Sequence, residues 1–294
     1  MAISKVRVQI NGTWHTLPST DNKTFTGTIT APGSTSYNNT GGYYDVTVEA
    51  TNTAGSISTQ NASGLAGLKL YVREKVPPVI TIVSPSAGAY VTNNKQTIVF
   101  TVTDESGGSG VNPDSVVVKM DGTVVTGVGK VSTTQFSYTP ASALSDGSHT
   151  VTITASDNDG NAATAKTVTF KVDTVPPTLN ITAPTNELVT NTASQVLRGQ
   201  TNDASSSPVT VKITLNGTDQ GAVTVGSDGV FTKTLTLKEG SNTIIVTATD
   251  SAGKSSSVTR TATLDTSKPV IKSATIAPNP IDAGASMVIT VVVE

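Results

Sequence analysis

Apolar residues alternate with polar ones in short runs along this chain, and three of the runs end in the same kind of tight-turn tripeptide. Val6, Val8 and Ile10 lead into Asn11-Gly12-Thr13; Val116, Val118 and Met120 into Asp121-Gly122-Thr123; Val211, Ile213 and Leu215 into Asn216-Gly217-Thr218. Period two followed by Asn-Gly or Asp-Gly, residues that accept positive φ, predicts a strand running into a β-hairpin turn. A second strand-plus-turn signature follows each of these: Tyr44, Val46, Val48, Ala50, Asn52 and Gly55; His149, Val151, Ile153, Ala155, Asp157 and Gly160; Asn242, Ile244, Val246, Ala248, Asp250 and Gly253. Two signatures repeated three times in the same order make a repeat array. The expected fold is all-β, a tandem series of β-sandwich modules.

Proline marks the boundaries. Val76-Pro77-Pro78, Asp173-Thr174-Val175-Pro176-Pro177 and Asp265-Thr266-Ser267-Lys268-Pro269 interrupt the strand pattern. Proline fixes φ and cannot donate to a ladder, so these segments are expected to be short, stiff connectors and the array an extended rod. Pro77 and Pro176 are 99 residues apart and Pro177 and Pro269 are 92 apart, each about the size of a seven-stranded sandwich. The expected division is an incomplete module at 1–76, whole modules at 77–174 and 175–268, and a two-strand segment at 269–294.

Composition supports strands and turns. Only 4% of residues are aromatic and 14% charged, and there is no cysteine, so each module must be held by its core without disulfides or thiolate metal sites. A net charge of −2 and a pI of about 5.7 give no electrostatic reason to expect nucleic acid. Apolar runs such as Met287 to Val293 are far below the roughly 18–20 residues of a membrane helix, so no membrane insertion is expected. Met1-Ala2-Ile3-Ser4-Lys5 enters the first strand without the charged and apolar regions of a Sec signal. The expectation is a virion or extracellular location reached by lysis, with the bacterial cell surface as the alternative.

Asp104 with Gly107, Gly108, Ser109, Gly110 and Val111, then Val118-x-Met120-Asp121-Gly122, Asp146-Gly147-Ser148-His149-Thr150 and Ala155-Ser156-Asp157-x-x-Gly160-Asn161, resembles the bacterial immunoglobulin-like repeats of phage tail and surface proteins. The resemblance covers residues 77 to about 268. It covers residues 1–76 only from the third strand of the module onward, with an added stretch from Ser56 to Gly67. It implies tandem immunoglobulin-like sandwiches serving as spacer, adhesive or glycan-contacting modules. The Ala277-Pro278-Asn279-Pro280 segment, with Gly284 and Ile289-Thr290-Val291, is similar to the C-terminal end of some phage proteins.

Candidate chemistry is sparse. Asp157, Asp159 and Asn161 have the oxygen-rich look of a calcium loop. The corresponding turns read Asn52-Thr53-Ala54-Gly55 and Asp250-Ser251-Ala252-Gly253, so a hairpin turn is expected and no metal; Asp104, Glu105 and Asp114 are read the same way. His149 takes the place of Tyr44 and Asn242 in the other copies, which makes it an interchangeable strand residue. His15 lies in another module, and no G-x-S-x-G elbow accompanies either histidine. Neither enzyme activity nor a cofactor is expected. Aromatic side chains on loops stack against sugar rings, so Trp14 and Tyr43, with Tyr37 and Tyr44 in the same module, are candidate contacts to a bacterial surface glycan. The alternative for Trp14 is hairpin packing.

The ends suggest a partner. Gly122 lies 44 residues after Pro78 and Gly217 lies 40 after Pro177, a stretch that supplies two opening strands, whereas only 12 residues reach Gly12. The 25 residues after Pro269 read as two strands. Strand complementation is therefore expected, with Ile276, Met287, Ile289 and Val291 of one subunit meeting Val6, Val8, Ile10, Val46 and Val48 of another, in a homo-oligomer or on another virion protein. The alternative is a chain that simply stops within a domain.

Overall fold

The computed structural model describes residues 2–294 and divides into two compact units, residues 1–174 and 175–294. Among the described residues there is no α-helix, only a 3-10 turn at Ala66–Leu68. The three Asn/Asp-Gly turns take positive φ at both central residues, 47° and 80° at Asn11-Gly12, 49° and 81° at Asp121-Gly122, and 52° and 79° at Asn216-Gly217. That geometry matches the twist of the strands each turn joins.

The first unit begins with β1 (Ile3–Ile10), β2 (Thr13–Leu17), β3 (Tyr44–Asp45), β4 (Thr47–Asn52), β5 (Ile57–Gln60) and β6 (Lys69–Leu70). They form a sheet in the order β2-β1-β4-β5 and a separate β3-β6 pair. Val6 and Val8 alternate inward on β1 and are buried, as are Tyr44 and Ala62. The stretch from Ser56 to Gly67 supplies edge strand β5 and the 3-10 turn.

The rest of the first unit is a complete sandwich: β7 (Val79–Ser84), β8 (Tyr90–Val91), β9 (Ile98–Thr103), β10 (Val111–Met120), β11 (Thr123–Val124), β12 (Gly129–Lys130), β13 (Gln135–Tyr138), β14 (Gly147–Asp157) and β15 (Lys166–Val172). The sheets run β12-β13-β9-β7 and β11-β10-β14-β15-β8. Ile98, Phe100, Val102, Val118, Val151, Ile153, Phe170 and Val172 are fully buried between them. At about 1.5–3 kcal/mol for each large apolar side chain, such a core holds without staples. Strand β10 starts earlier than its Val116–Met120 repeat predicts, and its register shifts between Asn112 and Val117, where Pro113 cannot donate to the ladder.

The order β2-β1-β4-β5 is that of β11-β10-β14-β15. Among the described residues, the first module has no counterpart of the β13-β9-β7 sheet; residues 18–43 carry no strand there.

The second unit holds β16 (Thr178–Ala183), β17 (Leu188–Thr190), β18 (Ser194–Asn202), β19 (Thr210–Leu215), β20 (Thr218–Asp219), β21 (Val230–Thr236), β22 (Gly240–Thr249) and β23 (Ser255–Leu264). Its sheets run β16-β18-β21 and β17-β23-β22-β19-β20 around Leu197, Ile213, Phe231, Leu235, Ile244 and Val246. Strands β8 and β17 each cross to the other sheet and pair in parallel, with β15 and β23. The last element is a hairpin of β24 (Ile271–Ala277) and β25 (Val288–Val293), every residue of which is exposed. It pairs across a long turn, as β7 does with β9 and β16 with β18.

Candidate functional site

The hairpin carries exposed apolar side chains on both faces, Val288 and Val292 on one and a larger set on the other. Ile276 lies opposite Ile289 and Ala274 opposite Val291, so their side chains project to the same side of the pleat. Ile276, Met287, Ile289 and Val291 are 46–57% exposed. The Lys272–Glu294 ion pair and reciprocal backbone bonds of 2.8 Å between Val270 and Glu294 close its open end. On the other side of the expected pairing, Val8 lies opposite Val48 on the inner face of the first module's sheet. Val6 and Val8 are already buried there, while Ile10, Val46 and Val48 are half-buried.

Trp14 lies opposite Gln9, which puts it on the outer face of that sheet, and the Arg7 guanidinium sits 4.1 Å from its ring centroid. Arg7 also pairs with Glu49 across β4, with its Nε 2.6 Å from Glu49 Oε2. Trp14 is thus half-covered by a cation on a regular strand. Tyr43 meets Tyr71 edge-on, ring centroids 6.1 Å apart, and Lys69 lies 4.8 Å over the Tyr43 ring.

Asp157 is a turn staple. Its two oxygens accept from the Asn161 N–H at 2.8 Å and Nδ2 at 2.7 Å. Asn52 holds Ala54 and Ser56, and Asp250 holds Ala252 and Lys254, through the same backbone bonds. His149 is structural too. Its Nδ1 lies 2.7 Å from Asp121 Oδ2 and its Nε2 2.8 Å from the Ser145 carbonyl. Asn216 and Asn242 occupy the equivalent places in the second unit, 3.0 Å apart, and Thr150 and Thr243 donate alike to Asp121 and Asn216. Burial pushes His149 down, but the Ser145 carbonyl and Asp121 outweigh it and leave its pKa raised. Burial pushes Asp121 up, and the Thr150 N–H and His149 bring it below the usual carboxylate range. With both ring nitrogens engaged in this way, His149 serves no nucleophile.

Glu74, Asp104 and Glu105 form one cluster of carboxylates, with an oxygen from each lying within 4.8 Å of the others. Glu74 belongs to the strap leaving the first module, which is tied to loops of the second. Ser109 N–H donates to Glu74 Oε1, Glu74 N–H to Asp159 Oδ2 at 3.0 Å, Thr35 Oγ1 to the same oxygen at 2.6 Å, and Asn38 Nδ2 to the Gly108 carbonyl at 2.6 Å. Glu74 Oε2 and Asp104 Oδ1 are shut from solvent and meet no donor unless Glu105 carries a proton. The hydrogen bond with Glu74, together with burial, holds the Glu105 carboxyl up at about 7. Burial pushes Asp104 up against the Gly110 N–H that lowers it, with the Glu74 charge adding to the rise. For Glu74, burial raises the pKa, but hydrogen bonds with Glu105 and Ser109 leave it lowered. The trio can share a proton carried by Glu105, and its oxygens are also the type that hold a hard cation. Glu74 was missed from sequence, although it stands three residues before Pro77 as Asp173 stands before Pro176.

Residues 86–174 match the bacterial Ig-like domain family, and residues 177–266 match domain B of glucodextranase, itself Ig-like. Residues 86–174 and 177–266 are thus Ig-like repeat domains, a type that is typically non-catalytic. Among solved structures, the fibronectin(III)-like modules of Clostridium thermocellum CbhA are 18% identical over 63% of this chain and 94% of theirs, with a TM-score of 0.39. Sidekick-1 immunoglobulin domains 1–4 are 11% identical over 90% and 68%, TM-score 0.40. A tetra-tandem repeat from the extending region of a large adhesion protein is 17% identical over 98% and 79%, TM-score 0.36. These low scores add nothing to what strand order and the two family matches establish. No curated protein matches the chain.

Proposed function

We propose that this chain is a non-catalytic spacer and attachment segment of an extracellular fibre, in the first instance a phage tail or phage-like particle and otherwise a bacterial surface adhesin. Its copies, or a copy and a neighbouring fibre protein, join by strand complementation. The supporting observation is the β24-β25 hairpin, whose pairing is that of the opening strands of each whole module and whose larger apolar face is uncovered. The receiving element in a second copy is the β2-β1-β4-β5 sheet, where irregular residues 18–43 would give way to the donor. Burying four large apolar side chains contributes about 6–12 kcal/mol before ordering costs. A contact of this head-to-tail kind builds a filament if it does not close and a ring if it does. The test is light scattering of the full chain against Ile289→Asp combined with Val291→Asp. Concentration-dependent assembly that the double variant abolishes is expected; a wild-type chain that stays monomeric at high concentration refutes the proposal.

The match of residues 177–266 to a glucodextranase domain favours a second reading, an accessory module of an extracellular glycan-active enzyme.

A further inference from the structure

From β6 onward the first unit carries Lys69, Tyr71, Arg73 and Lys75 at alternate, exposed positions, with the half-buried Leu70, Val72 and Glu74 between them. Tyr71 is 65% exposed. Tyr43 stands edge-on to it under the Lys69 ammonium. Beyond Arg73, a cavity of about 280 Å³ opens between Tyr37, which is 49% exposed, Tyr71 and the polar pair Asn158 and Asp159. Arg73 and Lys75 have no ion-pair or hydrogen-bond partner among the described residues, although both sit in a chain of net negative charge.

We propose that this stripe is a binding site for an anionic glycan whose pyranose units carry carboxylates, a polyuronate. The exposed rings of Tyr71 and Tyr37 offer flat apolar faces to the C–H side of a sugar ring. The guanidinium of Arg73 takes a carboxylate in bidentate geometry, and Lys75 and Lys69 supply point charges along the strand. Basic and aromatic side chains exposed at every second position from 69 to 75 suit a linear polymer. Asn158 and Asp159 line the cavity as acceptors for ring hydroxyls, a feature a sugar needs. A deoxyribose-phosphate backbone has no free hydroxyls on each unit to meet those acceptors. Aromatic and basic side chains interleaved in this way also suit single-stranded nucleic acid, and the hydroxyl acceptors of the cavity decide between the two. The site lies within one chain and does not depend on strand exchange.

The test is affinity electrophoresis of the full chain in native gels cast with polygalacturonate, with neutral pullulan and with oligo-dT. Retardation by polygalacturonate alone is expected, weakening as salt is added. Tyr71→Ala and Arg73→Gln, both at exposed positions, each reduce it about three- to tenfold, as loss of a stacked ring or of a charge-assisted pair does. Trp14→Ala and the Ile289→Asp, Val291→Asp double variant leave it unchanged. No retardation by polygalacturonate, equal retardation by pullulan or oligo-dT, or full retention of binding in Tyr71→Ala and Arg73→Gln overturns the proposal.

Discussion

Replacing Gly199 with alanine tests how the second unit packs the place that two phenylalanines fill in the first. In the 77–174 module, Phe100 on β9 faces Phe136 on β13, and the rings stack with centroids 5.6 Å apart. In the 175–268 module the equivalent partners are Gly199 on β18 and Phe231 on β21. The glycine makes room for the ring: a Cβ at 199 would stand 2.4 Å from Phe231 Cζ, 2.8 Å from Ile181 Cδ1 and 3.0 Å from the Asn180 carbonyl oxygen. Asn180 is held in the β16-β18 ladder, so the ring must move, and it is 2% exposed in a closed core. Overpacking of this kind costs about 1–3 kcal/mol, and the entropy saved by removing a glycine returns about 0.4–1 kcal/mol. A net loss of about 1–2 kcal/mol lowers the melting temperature of a module this size by roughly 4–15 °C. Calorimetry of the full chain follows it, with Phe231→Leu and the double variant completing a cycle. Because the shorter side chain leaves room for the new methyl, the double variant is expected to be at least about 1 kcal/mol more stable than the sum of the singles. An undiminished melting point for Gly199→Ala, or strict additivity, refutes this account of the core.

The carboxylate trio is expected to make the stability of the first unit depend on pH. Glu105 has a folded pKa raised to about 7, so its stabilising proton is fully present below its unfolded value and lost as pH rises through 7; melting of the first unit is expected to fall between pH 5.5 and 8.5, and Glu105→Gln to flatten that slope. A calcium-dependent rise in melting at pH 8.5 that Glu74→Gln removes would instead give the site to a cation. His149 contributes in the same direction, its raised pKa giving stability that is lost as pH rises through it, while Asp121, whose pKa is lowered, loses its contribution on acidification. Replacing both with asparagine, as at Asn216 and Asn242, is expected to keep the fold and remove the part of the slope that Glu105→Gln leaves, as calorimetry against pH would show. Trp14, the single tryptophan, reports the first module by fluorescence. Arg7→Ala is expected to shift its emission to the red and cost about 0.5–1 kcal/mol; an unchanged spectrum in that variant contradicts the stacked geometry.

Much of the architecture was decided locally. The Asn11-Gly12, Asp121-Gly122 and Asn216-Gly217 turns follow from which residues accept positive φ, and the inward Val118, Val151 and Val246 follow from the two-residue period of a strand. Comparing the copies was enough to read Asp157 as a turn residue and His149 as an interchangeable strand residue, since Asn52 and Asn242 stand where they stand; that His149 ties Asp121 to Ser145 was decided by the fold. Other features had no local signal. Strands β8 and β17 are two and three residues long, too short for a period to register, and exist because the opposite sheet offers an edge. The pairing of Phe231 with a glycine where Phe136 meets a phenylalanine depends on strand register across the sheet. Glu74 reaches Asp104 and Glu105 only because the strap folds back on loops of the next module. The alternation of Lys69, Tyr71, Arg73 and Lys75 was there to be read, but its meaning depends on Tyr37, Tyr43, Asn158 and Asp159 arriving beside it from distant stretches. Sequence determines what each residue can do with its near neighbours; only the closed sheets determine which distant residues those neighbours meet.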